Sequence, residues 1–208
     1  MPMTGKSRMV EQPAGNYYDK YRTRNPVARW LMQGFLSAFE ELLALQPERQ
    51  GIEVGCGEGE LSIRLAQAGY RMRGFDIAET AVEEARVRAA QAGVDVPFAR
   101  ASLDELDHGQ RAPLVVCCEV LEHLDDPQAG LDVLARIADP WLLASVPREP
   151  LWRVLNVCRG RYLGDLGNTP GHVNHWSGPG FLAFLGSRFE IVAVRRPLPW
   201  TMALCRRR

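Results

Sequence analysis

The run G-I-E-V-G-C-G-E-G-E-L-S at residues 51–62 sets a carboxylate, Glu53, inside an apolar stretch and follows it with glycines at 55, 57 and 59. Glycine lets the backbone take positive φ and lets a ligand come close, because no Cβ intervenes. A dinucleotide-binding turn would read G-x-G-x-x-G, with its third glycine at position 60. Glu60 stands there instead, which argues against a pyrophosphate on the helix start and for a phosphate-free nucleoside ligand. S-adenosylmethionine meets that description. Asp76, 21 residues after Gly55, closes a second strand-like stretch, where a carboxylate can accept both ribose hydroxyls. Alone, such an Asp is as readily a helix N-cap; beside the glycine turn it reads as a ligand residue. Glu53 must itself be satisfied, since an unpaired buried carboxylate costs several kcal/mol, and loop amides or ordered water at the cofactor's amino-acid end are its expected partners.

A second constellation is Glu119, Glu122 and His123, in the pattern E-x-x-E-H. On a helical turn, residues three and four apart share a face. Two carboxylates and an imidazole can then hold one divalent cation, with Mg²⁺ or Mn²⁺ more natural than zinc for oxygen-rich ligation. The plainer alternative is that Glu122 and His123 pin the loop or act as a base. His172 and His175 flank Asn174 ahead of Trp176 and offer a general base or a further metal ligand.

These groups need a scaffold, and the hydrophobic periodicity supplies one. Asn25-Pro26 reads as an N-cap and first helical residue, and apolar positions from Val27 to Leu45 recur at three to four, predicting a helix to about Gln46. Strand Gln50–Val54, helix 59–68, strand 71–75 ending at Asp76, helix 78–92 and a short strand near 96–100 follow. Strand 113–118 is almost wholly apolar and so buried on both faces. Helix 127–138, capped at Asp125 or Asp126, and strand 141–146 complete an alternation that predicts right-handed βαβ units in a parallel sheet, with ligands at the strand C-termini. Residues 147–179 break the rhythm, with only a weak helical pattern at 151–157. Helix 180–185 and strands near 189–195 and 200–205 then predict a hairpin closing the sheet edge.

The chain has 208 residues, 46% hydrophobic, and Lys+Arg and Asp+Glu balance at 25 each. That is enough for one domain with a sizeable core. No bulk electrostatic term calls for nucleic acid, and Arg206 to Arg208 read as a short solvated basic tail. No apolar run of signal or membrane-spanning length stands near the start, and five cysteines without C-x-x-C spacing suit reduced thiols. The expected location is cytoplasmic. No feature speaks to oligomeric state.

Over residues 25–205 the chain resembles class I S-adenosylmethionine-dependent methyltransferases. I-E-V-G-C-G-E-G resembles their first motif, G-F-D-I-A-E-T-A-V-E-E-A their second and V-V-C-C-E-V-L-E-H-L-D-D-P their fourth. The resemblance implies a Rossmann-like α/β fold with a seven-stranded, mostly parallel sheet, helices on both faces and an antiparallel strand in the edge hairpin. It implies a leader or lid over 1–24 and a methyltransferase domain over 25–208, with an acceptor cap at about 147–179. By the same resemblance Gly55 and Gly57, with Cys56 between them, bind the methionyl part, Asp76 the ribose, and Ile77 lies beside the adenine. Many relatives carry Asp where this chain has Ser102, so Ser102 or the Leu103 backbone is expected to hold the adenine amino group; Cys118 joins the cofactor-binding set.

The fourth motif is most like that of the ubiquinone-pathway O-methyltransferases, and also resembles that of small-RNA 2′-O-methyltransferases. There such residues bind a metal that gathers the acceptor hydroxyl, lowers its pKa and lines it up with the methyl group. The ubiquinone-pathway enzymes also carry an insertion like residues 147–179, which the resemblance suggests governs substrate access and bilayer contact. Here Arg148, Arg153, Arg159 and Arg161 alternate with Leu151, Trp152, Leu155 and Tyr162, suiting an interfacial helix, a grip on an anionic acceptor or a plain solvated face. Tyr17, Tyr18 and Tyr21 are candidates for a lid, and Arg29 for pairing with the cofactor carboxylate.

The resulting expectation is methyl transfer from S-adenosylmethionine to a small-molecule or lipid-like acceptor, at oxygen rather than nitrogen or carbon. His123, or His172 and His175, would be the base, with Glu119 and Glu122 orienting it or holding metal. Nucleic acid is not expected as a partner; peripheral contact with the inner membrane face is. The competing readings are a non-catalytic module that binds the cofactor and an NAD-dependent oxidoreductase, the latter disfavoured by Glu60.

Overall fold

A computed structural model of the chain describes residues 23–208. Of the expected leader over 1–24, all but Thr23 and Arg24 lies outside the described residues, as do Tyr17, Tyr18 and Tyr21. Seven strands form one sheet: β1 (Gln50–Val54), β2 (Arg71–Asp76), β3 (Phe98–Arg100), β4 (Ala112–Cys118), β5 (Ala138–Pro147), β6 (Phe189–Arg195) and β7 (Trp200–Arg207). Their order is β3-β2-β1-β4-β5-β7-β6. Pairing is parallel from β3 to β5, and β7 runs antiparallel between β5 and β6. The edge hairpin thus forms with β7 on its inner side. Strand order reverses between β1 and β4, the crevice where open α/β sheets bind ligands at their strand C-termini.

Period-two alternation assigns the side chains to two cores. Leu114, Val116 and Cys118 of β4 face a core shared with helices α1 (Pro26–Leu43), α2 (Glu60–Gln67) and α3 (Glu79–Ala92). Val115 and Cys117 face the other, with α4 (Pro127–Ile137) and α6 (Gly178–Gly186). Ile52 and Val54 belong to the second core, so Glu53 between them points to the first face, where α2 begins.

Element ends differ from the sequence expectation for identifiable reasons. Asn25 caps α1 through Val27 N and Ala28 N at 2.9 and 3.2 Å, but the helix stops at Leu43. Gln46 instead folds onto the following backbone, donating to Glu48 O and accepting from Glu48 N. β3 starts at Phe98, after Pro97, which has no N–H for the ladder. β7 runs on to Arg207, so two of the arginines read as a solvated tail are strand residues: Arg206 lies over Trp141, and Arg207 pairs with Asp139 at 3.0 Å. The segment after β5 carries helix α5 (Leu151–Cys158) and a 3₁₀ turn at Leu163–Asp165.

Candidate active site

The glycine turn leaves the end of β1 and is clamped to the end of β2. Gly55 N and Cys56 N both donate to Phe75 O, at 2.7 and 3.0 Å. Gly55 has φ 71°, and a Cβ there would stand 2.2 Å from Val120 Cγ2, so glycine is required by both conformation and space. At Gly57, φ is 51° and a Cβ would meet nothing within 4 Å; the turn opens onto free space, as a cradle for a ligand body requires. Asp76 joins the two motifs. Its Oδ2 accepts from Gly57 N at 2.8 Å and its Oδ1 from Ala78 N at 2.9 Å. The carboxylate sets the turn before any ligand arrives, and each oxygen keeps acceptor capacity for a hydroxyl.

Glu53 is 4% exposed and caps α2 from within the strand: its Oε2 accepts from Ser62 N at 2.9 Å and Ser62 Oγ at 2.5 Å. Ser62 is the third residue of α2, and Gly59 at the N-cap has no side chain for the task. A negative charge there also suits the helix N-terminus. The partner is therefore the helix start. Cys56 and Cys118 are buried; burial pushes both thiols well above the ordinary range, so they stay neutral near pH 7 and offer shape rather than nucleophilicity.

Ile77 is 42% exposed beside Asp76, an apolar face suited to a purine. Across from it, Ser102 caps the 3₁₀ turn Leu103–Glu105: its N–H donates to Glu105 Oε2 at 2.8 Å and its hydroxyl to Asp104 Oδ1. Leu103 is buried. Arg29 stands exposed near the start of α1.

The E-x-x-E-H pattern does not share one face. Glu119 precedes the 3₁₀ turn Leu121–His123 and takes the left-handed conformation, φ 62°, which swings its carboxylate across β5. There its Oε1 accepts from Ser145 Oγ at 3.1 Å and its Oε2 from Trp200 Nε1 at 2.6 Å. His172 takes its place in the cluster: single ligand atoms of Glu122, His123 and His172 all lie within 4.8 Å of one another. Glu122 is 1% exposed. His123 Nδ1 lies 2.8 Å from Gly171 O; a carbonyl only accepts, so Nδ1 carries the hydrogen and Nε2 is the basic nitrogen. The rings of His123 and His172 meet edge to face at 4.9 Å, and Trp152 stacks on His172 at 5.8 Å.

The segment after β5, expected to cap the acceptor, is stitched to this loop. Val173 N and Asn174 N donate to Glu122 O at 2.9 and 3.0 Å, and Asn174 Nδ2 donates to Leu121 O and Leu124 O. His175 points elsewhere, its Nε2 at 2.8 Å from Asn168 Oδ1. Among the arginines, Arg153 donates to Leu166 O and Asp165 O and Arg161 lies over Tyr162. Val154, Val157, Leu163, Leu166 and Val173 are exposed around them. Ser145 and Trp200 were invisible as site residues in the sequence, because the strand pairing that brings them to Glu119 is long-range.

Residues 52–140 match the model of a methyltransferase domain. A ubiquinone biosynthesis O-methyltransferase of Hahella chejuensis is 35% identical over 107 residues, 50% of this chain and 44% of that protein; its counterpart in Bordetella avium is 33% identical over 114 residues, 53% and 47%. The chain spans about half the length of the curated relatives it matches. Among solved structures, magnesium protoporphyrin IX methyltransferase from Synechocystis PCC 6803 with bound S-adenosylhomocysteine superposes with a TM-score of 0.70 at 26% identity, covering 91% of each chain. Its form with bound S-adenosylmethionine gives 0.67 at 25%. With the clamped glycine turn and β7 set antiparallel between β5 and β6, these likenesses show that the chain has the class I S-adenosylmethionine-dependent methyltransferase fold.

Proposed function

We propose that the chain transfers the methyl group of S-adenosylmethionine to an oxygen of a small-molecule acceptor held between the strand C-termini and the cap. The observation that carries this reading is the convergence of two different sites on one sheet edge: the Asp76–glycine turn, built for a nucleoside, and the Glu122–His123–His172 trio beneath the cap. The named activity of the relatives by sequence, O-methylation, supports oxygen as the atom. S-adenosylmethionine would supply an electrophilic methyl on a sulfonium. Asp76 would hold the ribose, Gly55 and Gly57 the methionyl backbone, and Ile77 the purine face. The cap would exclude water and fix the acceptor in line, the positioning on which such displacements depend. His123 Nε2, or His172, would receive the hydroxyl proton.

The trio also fits a divalent cation as a donor set, with one carboxylate and two imidazoles. That set suits Zn²⁺, Mn²⁺ or Fe²⁺ better than Mg²⁺, which prefers oxygen. A bound cation would supply Lewis acidity to the acceptor hydroxyl. The exposed valines and leucines among the cap arginines support a lipid-like acceptor and peripheral contact at an anionic membrane face; no described helix is long and apolar enough to cross a membrane.

The test is transfer of labelled methyl from S-adenosylmethionine to a panel of phenols, catechols and carboxylic acids, with acid- and base-stability of the product reporting the bond made. Label in an ether or ester supports O-methylation; label only in amines would replace it with N-methylation. Titration of the chelated protein with Mn²⁺, Zn²⁺ and Mg²⁺, read by thermal melting, tests the cation separately. Wild-type activity with no shift after exhaustive chelation removes it.

A further inference from the structure

The glycine turn is gripped at a second point, by a residue outside its own motif. Gly57 and Gly59 sit at φ 51° and 80°, and a backbone with two such glycines samples many conformations unless something holds it. Glu58 stands between them and carries the side chain by which that stretch can be held. Its Oε2 lies 2.6 Å from Arg88 Nη2. Arg88 belongs to α3 and is 8% exposed, and its Nε meets Glu84, one helical turn earlier, at 2.8 Å. A guanidinium buried to that degree is tolerated only beside carboxylates. One of these two comes from its own helix and the other from the turn.

The contact between helix and turn is steric as well as ionic. Ala85, three residues before Arg88 on the buried side of α3, would stand 3.0 Å from a Cβ placed on Gly59, and Phe98 Cζ 2.8 Å from it. The same helix begins at Ala78, whose N–H donates to one oxygen of Asp76, while the other oxygen accepts from Gly57 N. The turn is therefore fastened to α3 at two consecutive residues, at Gly57 through the acid that precedes the helix and at Glu58 through Arg88. A turn held in its binding shape before the ligand arrives spares the ordering cost at association. We propose that Arg88 is a positioning residue for the methyl donor. By holding Glu58 it fixes the Gly57–Gly59 backbone in the shape that receives the amino-acid end of S-adenosylmethionine, while Asp76 serves the ribose. This inference rests on the cofactor reading given under the proposed function.

The experiment is a double-mutant cycle read by titration calorimetry with two ligands, S-adenosylmethionine and 5′-methylthioadenosine, which shares the purine and ribose and lacks the amino-acid part. Glu58→Gln should weaken S-adenosylmethionine about three- to five-fold, the scale of a partly exposed ion pair, and Arg88→Met at least as much. The double variant should lose less than about two-fold beyond Arg88→Met, because the two residues act as one unit. Affinity for 5′-methylthioadenosine should stay within about two-fold of wild type in Glu58→Gln, a difference that a general loss of stability would not produce. Gly59 N donates to Cys56 O at 2.9 Å within the turn, so amide exchange at Gly59 in the ligand-free protein should quicken about three-fold or more in each variant, with Val82 in the buried face of α3 unchanged. Wild-type affinity for S-adenosylmethionine in both variants, equal losses for the two ligands, losses that add fully, or unchanged exchange at Gly59 would each overturn the proposal. If Arg88→Met fails to fold, Glu58→Gln decides alone, since Glu84 still meets Arg88 there. A wild-type chain that does not bind S-adenosylmethionine overturns the cofactor reading and Arg88's role with it; normal wild-type binding with a silent Glu58→Gln overturns only the latter.

Discussion

Replacing Asp76 tests the site and the fold together, because the carboxylate has work to do before a ligand arrives. Asp76→Ala removes the acceptor for Gly57 N at 2.8 Å and for Ala78 N at 2.9 Å. Hydrogen bonds to a charged group are worth about 1.5–3 kcal/mol each. Gly57 is half-buried and can rehydrate while Ala78 is buried, so the joint loss should be about 2–3 kcal/mol by that scale. For a chain of this size that lowers the melting temperature by roughly 5–10 °C. Asp76→Asn keeps one acceptor oxygen and turns an NH₂ toward a backbone N–H, so it should lie between wild type and Asp76→Ala. Under the proposed ribose assignment, affinity for S-adenosylmethionine should fall about 100-fold or more in Asp76→Ala, since two hydroxyls would lose their acceptor, at about 1.4 kcal/mol per ten-fold. Urea unfolding of the ligand-free protein and calorimetry give the two numbers separately. A purely ligand-binding acid would leave stability unchanged or raise it when removed. That outcome would refute the clasp, and unchanged affinity would refute the ribose assignment.

Further outcomes follow from the same geometry. Gly55→Ala should destabilise the chain by about 2 kcal/mol or more, from positive φ together with the contact to Val120, and Val120→Ala should recover part of it in urea titrations; full additivity would contradict the contact. Glu53→Ala should cost about 3 kcal/mol and loosen α2, because a buried charge-assisted cap is lost, a change readable as faster amide exchange at Leu61 and Ser62. Burial pushes the Cys205 thiol up to about 12 from an ordinary value of 9.0. A raised acid pKa means that above pH 9 the unfolded chain sheds a proton the native chain keeps, so stability should decline from pH 9 upward and less steeply in Cys205→Ala; identical pH profiles would refute this. Under native conditions at pH 8, iodoacetamide should modify Cys158, the exposed thiol, well before the four buried ones, as mass spectrometry of the digested protein can show.

Local chemistry was the part of this molecule legible in the sequence. The β1 limits, the Asn25 cap, the glycine turn and the Asp76 position all follow from residue types within a few positions of one another, and all stand in the structure as read. Helix ends drifted where a side chain competed with the helix for backbone, as Gln46 does with Glu48. The site beyond the cofactor turn was less legible because it depends on pairings across the chain. Glu119 looked like a partner of Glu122 and His123 on helical spacing; a single left-handed residue broke that face and sent the carboxylate to Ser145 and Trp200, 26 and 81 positions away. His172 was foreseeable as a histidine with a role, but its place beside Glu122 depends on the cap folding back 50 residues later.

The bonds from Val173 and Asn174 to the Glu122 carbonyl have a consequence for how specificity can be changed. Residues 173–174 and the Glu122 loop share backbone hydrogen bonds, so under the proposed function the cap and the acceptor-side groups would form one module. A graft of another enzyme's cap onto this scaffold must therefore carry that enzyme's Leu121–Leu124 segment with it. Chimeras cut between the two would leave amides and carbonyls facing the wrong neighbours, while cuts at Pro113 and after Ser177 would preserve the module whole.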